Sequence, residues 1–199
     1  MLGAAEGEEG GPILAWRDPF IVEAADGELE VIWSAKISPT RSAVAHATVR
    51  QEGGVFEIEA LNPPITLPDD HSFTQAEVPK LHFDLKHGKW LLLISACDRL
   101  DEAQPADEVT KVLRLYKSDS LRGPWTGAFR GGSSLISGAD FLFGASILHA
   151  DVGAGQVSLI APYTEYAPEH RQLTFAPPII IELPRENAES LTGMRHKSR

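Results

Sequence analysis

The chain has 199 residues, of which 43% are hydrophobic and 23% charged, and its formal net charge is −10. An acidic chain argues against nucleic acid or an anionic membrane as partner, because both are bound through cationic patches. The single cysteine, Cys97, excludes an internal disulfide, and no apolar run reaches the ~18 residues of a membrane-spanning helix.

The first residues, 1–14, are acidic and Gly-rich and are expected to form a flexible segment. They hold no basic n-region and no apolar h-region, so no signal peptide is read. The chain is expected in the cytoplasm if this start is genuine and outside the cell if it is a fragment. From 15 to 185 the pattern is β almost throughout. Runs rich in Val, Ile, Leu, Trp and Phe alternate with Gly, Asp and Pro. Strands are expected near 19–24, 28–35, 43–50, 55–59, 79–85, 89–96, 111–117, 145–150, 156–163 and 173–182. The nearest approach to a helix, 99–112, contains Pro105 and many acids and reads as a loop. The end, 186–199, closes on MRHKSR and is expected to be disordered.

Three segments repeat one unit. PFIVEAADGELEVIWSAK begins at Pro19, PKLHFDLKHGKWLLLISA at Pro79 and ASILHADVGAGQVSLIAPY at Ala145. Each is a strand, a tight turn and a more apolar strand. The turns hold Asp26-Gly27, His87-Gly88 and Gly153 to Gly155, where hairpin loops call for positive φ. The units start 60 and then 66 residues apart. Two hairpins per period point to four-stranded propeller blades. The fold class is therefore all-β, with about three blades of a larger ring, since propellers hold about four to eight. The alternative is a β-sandwich with unrelated hairpins.

Two carboxylates stand out. Asp18, in AWRDPF, opens the first strand of the first unit, with Arg17 beside it. Glu77, in QAEVPKLHF, comes just before the Pro that opens the second unit. Their placement is nearly equivalent, so both are expected at the mouth of one channel. If that strand is extended, Arg17 and Asp18 point to opposite faces. Paired carboxylates suit glycoside hydrolysis: one donates a proton to the leaving oxygen, and the others stay ionised against an oxocarbenium-like transition state.

AWRDPFIV, IWSAK, QAEVPKLHFDLKHGKWLLLISA and YKSDSLRGPW together resemble the five-bladed propeller glycosidases. Glycoside hydrolase family 32, the β-fructofuranosidases, is the nearest likeness; families 68 and 43 are similar. The likeness runs over about 15–165, and TFAP at 174–177 is similar to a stretch of the levansucrases. The resemblance implies retaining cleavage of a β-fructofuranosyl bond in sucrose or fructan, with about three blades of an expected five. It implies that Asp18 stabilises the transition state by binding sugar hydroxyls and that Glu77 is the general acid/base. Arg17 is implied as a supporting or sugar-binding group. Trp16 and Trp33 offer apolar faces to a sugar, Trp33 being better placed for core packing. These families also use an Asp upstream of the Arg-Asp-Pro motif as nucleophile, or as base in family 43. Residues 1–17 hold no Asp, so the blade carrying it is expected to be missing and the chain N-terminally incomplete. A family 43-like arabinofuranosidase or xylosidase and a non-catalytic sugar-binding propeller are the alternatives.

The seven histidines show no metal-ligand spacing, and neither a metal nor a cofactor is expected. His82 and His149 read as packed or edge residues, and Cys97 as buried and inert. GGSSLISGAD, from Gly131, lacks the Lys and the helix of a phosphate loop. The acidic loop 98–108 reads as a solvated insertion.

Overall fold

The structure, a computed structural model, describes residues 11–24, 27–139, 142–162 and 175–184. Asp26 of the first turn, Asp140, Thr174, His170, His196 and the ends 1–10 and 185–199 lie outside the described residues. Among the described residues there are eleven strands, three single-turn 3-10 segments and no α-helix. Among the described residues no helix is long and apolar enough to cross a membrane.

The strands form three sheets in chain order. The first has β1 (Arg17–Glu23), β2 (Leu29–Ser38), β3 (Arg41–Glu52) and β4 (Val55–Ile65), neighbours in sequence pairing antiparallel. The second repeats the order with β5 (Gln75–Asp84), β6 (Lys89–Cys97), β7 (Lys111–Ser118) and β8 (Thr126–Gly127). The third holds β9 (Ser146–Asp151), β10 (Gln156–Ile160) and β11 (Ile179–Glu182). This is the expected succession of four-stranded meanders, with three strands described in the last.

The sheets stack face to face, and β6 shows why its sequence is apolar without a break. Successive side chains on a strand point to opposite faces. Trp90, Leu92 and Ile94 enter a core shared with Ile32, Val44 and Ile65 of the first sheet. Leu91 and Leu93 enter a second core with Val157, Leu159 and Ile181 of the third. A strand covered on both sides cannot alternate with polar residues. The far face of the first sheet carries a smaller cluster of Trp33, Ala35, Ala45 and Ala47.

Several boundaries differ from the expected ones. β4 runs on through Pro63 and Pro64. It pairs only with β3, so the missing N–H groups fall where an edge strand tolerates them. β5 begins at Gln75, which puts Glu77 inside the strand rather than ahead of it. The loop 98–108 is tied down: Asp98 accepts the amide of Thr110 at 2.7 Å, and Leu100 accepts that of Ile13 at 3.1 Å.

Candidate functional site

The chain enters the innermost strand of each sheet through a residue with left-handed backbone. These are Asp18 (φ 60°), Val78 (φ 47°) and Gly144 (φ 68°). A proline follows the first two. It bars the preceding residue from right-handed helical backbone and offers no N–H to the ladder. The register accordingly slips between Arg17 and Phe20 and again between Glu77 and Lys80. A left-handed Asp is tolerable, but a left-handed Val is a strained exception.

This corrects two expectations about the carboxylates. The residue equivalent to Asp18 is Val78, and the residue equivalent to Glu77 is Arg17. Cross-strand pairing agrees, since Arg17 faces Ser34 and Glu77 faces Ser95. Asp18 and Glu77 are thus offset by one position. Nor do Arg17 and Asp18 diverge as in an extended strand. The kink at Asp18 lets both reach consecutive residues of β5, Arg17 touching Glu77 and Asp18 touching Val78.

The contacts are specific. Nη2 of Arg17 donates to Oε1 of Glu77, forming a salt bridge whose acidic partner is 14% exposed. Oδ2 of Asp18 accepts from the amide of Val78 at 3.0 Å and from Oγ of Ser34 at 3.1 Å. Arg17 and Glu77 line a pocket of about 280 Å³ together with Cys97, Arg99, Lys111 and Phe143. Burial lowers the pKa of Lys36 at this end of β2, although Cys97 and Glu77 pull the other way. Burial pushes the Cys97 thiol up to about 11, so it stays protonated and unreactive at neutral pH, as expected of a buried cysteine.

Trp16 is 70% exposed and meets Trp33 edge to face, with centroids 5.1 Å apart. It is not among the pocket-lining residues. Trp33 is buried, in keeping with a packing role. His82 is partly buried, its pKa lowered by burial, while His149 is exposed.

Reading the sequence missed Ser34, Val78, Arg99 and Lys111. A signal for the first was present: IWSAK and LISAC carry the same Ser-Ala pair in the second strand of the first two units. A second polar cluster, Asp84, His87 and Asp151, has ligand atoms within 4.8 Å of one another. The side chains of Asp84 and Asp151 are already engaged by N–H groups and by Lys86.

No family model matches the chain, and no curated protein matches it. Solved structures do. A Bacillus subtilis levansucrase in complex with oligosaccharides is 13% identical with a TM-score of 0.64, over 87% of this chain and 48% of that one. A B. megaterium levansucrase is 14% identical with a TM-score of 0.62, over 88% and 49%. An inulosucrase from Halalkalicoccus jeotgali bound to kestose is 16% identical with a TM-score of 0.60, over 90% and 50%. The chain spans about half the length of these structures. At such identities the likeness is one of fold, and the three sheets are propeller blades.

Proposed function

We propose that the chain carries part of a sugar site of the β-fructofuranosidase kind, acting on β-fructofuranosyl linkages of sucrose or fructan. One observation carries this reading. Two acids from the innermost strands of neighbouring blades meet through one pair of contacts, Asp18 on the Val78 amide and Arg17 on Glu77. A pocket lined by Arg17 and Glu77 opens at this contact. The likeness in fold to sucrose- and kestose-bound structures supports the same substrate class.

In this reading Glu77 protonates the bridging oxygen as the bond to the anomeric carbon breaks. Asp18 holds ring hydroxyls and opposes the positive charge that develops there. Arg17 keeps Glu77 in place and hydrogen-bonds the sugar, and Trp16 offers an indole face at the rim. Retention requires a nucleophilic carboxylate as well, so the reading assigns two of three acids.

A second reading, a sugar-binding blade set without turnover, has its own support. Glu77 is already paired with Arg17, which favours its ionised form over the protonated one that a general acid needs. The test is hydrolysis of sucrose and of an aryl β-fructofuranoside, with Glu77→Gln beside the wild type. Loss of about 10²–10⁴-fold in rate is expected of a missing acid/base. A rate unchanged in Glu77→Gln removes Glu77 from the chemistry. Binding of sucrose without hydrolysis favours the second reading.

A further inference from the structure

The two junctions between neighbouring sheets share one device. At the second, the left-handed residue opening β9, Gly144, donates its N–H to Oγ of Ser95 at 2.8 Å. At the first, the left-handed residue within β5, Val78, donates its N–H to Oδ2 of Asp18, and Oγ of Ser34 donates to that same oxygen. Ser34 and Ser95 occupy the same place, each facing the residue before the kink across the first hairpin of its blade. In the second blade the kink residue is Val78, which has no acceptor, so the serine takes the next blade's amide itself. In the first blade the kink residue is Asp18, and its carboxylate stands between serine and amide.

We propose that Ser34 and the Val78 amide are the positioning groups of Asp18, which has been inserted into a serine-to-amide latch that otherwise only joins blades. The inference rests on the sugar-site reading for its consequence, though not for its geometry. Both bonds fall on Oδ2, and Oδ1 accepts none among the described residues. One oxygen is therefore anchored by groups from two blades, while the other remains available to a sugar hydroxyl. An anchored carboxylate keeps its orientation without reorganisation when ligand arrives, which is the condition for strong electrostatic binding. The strain of a β-branched residue at positive φ fits the same account, because it falls in the register break between Glu77 and Lys80, where the amide that reaches Asp18 lies.

The test compares two serine variants of the whole chain, Ser34→Ala and Ser95→Ala. Each removes one latch hydroxyl, and each is expected to lower the melting temperature to a similar degree. Sucrose affinity, by isothermal titration calorimetry, separates them. The dissociation constant rises roughly 3- to 10-fold in Ser34→Ala, the effect of one hydrogen bond, and stays within about twofold in Ser95→Ala. Equal changes in the two variants, or none in Ser34→Ala, overturn the proposal. If the wild type binds no sucrose, the sugar-site reading has failed, and amide hydrogen exchange judges the latch by itself. Exchange of the Val78 amide is then expected to quicken about 10-fold in Ser34→Ala only, and that of Gly144 in Ser95→Ala only. Without that crossover the latch is wrong as well. If Ser34→Ala does not fold, Ser34→Cys, a weaker donor of similar size, is measured with the same expectations.

Discussion

The two ends of β5 hold charged clusters of similar composition and opposite character. Near its start, Glu77 meets Arg17 beside a pocket, and Asp18 leaves one oxygen without a protein donor among the described residues. At its end, Asp84 meets His87 with Asp151 and Lys86 close by. Oδ1 of Asp84 accepts the amides of Lys86 at 3.1 Å and His87 at 3.2 Å. Oδ2 accepts the amide of Val152 at 2.8 Å and lies 2.9 Å from Nδ1 of His87. By residue type the second cluster has the better claim to a metal. By hydrogen bonding, Asp84 already has all four of its acceptor sites filled, and the cluster reads as a knot tying the β5–β6 turn to the β9–β10 turn. Unused acceptors facing a cavity, rather than acids near a histidine, distinguish a site from a fastening.

The sharpest way to break this comparison is Asp84→Ala. The carboxylate is buried, and its loss strands four donors: the amides of Lys86 and His87 in its own turn, the His87 ring, and the amide of Val152 across the junction. A cost of about 3 kcal/mol in unfolding free energy is expected, with sucrose affinity unaffected. Urea titration checks the first and calorimetry the second; a ligand effect here erases the distinction between the two ends. The pH dependence follows from the same bonds. Burial pushes the Asp84 carboxyl up, but the amides of Val152 and His87 and the His87 ring outweigh it and hold the pKa below the ordinary value. A carboxyl depressed on folding stabilises above its unfolded pKa, and that stability is lost as pH falls through the lower folded pKa. The wild type should therefore lose stability below about pH 4, and Asp84→Asn should lose less over the same interval.

Gly153→Ala probes the knot more gently. A Cβ there lies 2.1 Å from Nε2 of His87, so the ring must swing away from Asp84. Roughly 1–2 kcal/mol of destabilisation is expected in urea, together with a changed His87 imidazole NMR signal. An unaltered His87 signal means that the turns do not press together as described.

Much of the fold was legible in the sequence, and the site less so. Strands showed through as apolar runs between Gly and Asp turns, and the 60- and 66-residue offsets of the units are those separating Asp18, Val78 and Gly144. β8 spans two residues, too few for any periodicity. Asp18 and Glu77 were found as acids near a proline at nearly equivalent places, which the backbone kinks set one position apart. Asp, Val and Gly share nothing as side chains at the three kinks; what they share is a positive φ at the same place in each blade. Ser34 was hidden for a related reason. A serine in an apolar strand looks like a tolerated polar residue until the amide of another blade is placed against it.

Val78→Gly is the smallest perturbation and the most discriminating at the site end. A left-handed β-branched residue carries about 1–3 kcal/mol of strain, which glycine relieves. Against this stand the greater entropy of glycine in the unfolded chain, about 1 kcal/mol, and the loss of a partly buried side chain. The terms nearly cancel, so a net change within about 1 kcal/mol is expected. Val49→Gly, at a buried position of β3 whose backbone is not left-handed, has no strain to release and should cost several times as much, about 3 kcal/mol. The second junction already has glycine at the equivalent place, Gly144, and its amide still reaches Ser95. Val78→Gly should therefore keep the amide on Asp18 and leave sucrose affinity intact. A large loss of stability from Val78→Gly, comparable with Val49→Gly, means that the valine side chain rather than its backbone holds this junction, and the kink is then not the element that sets Asp18 apart from Asp84.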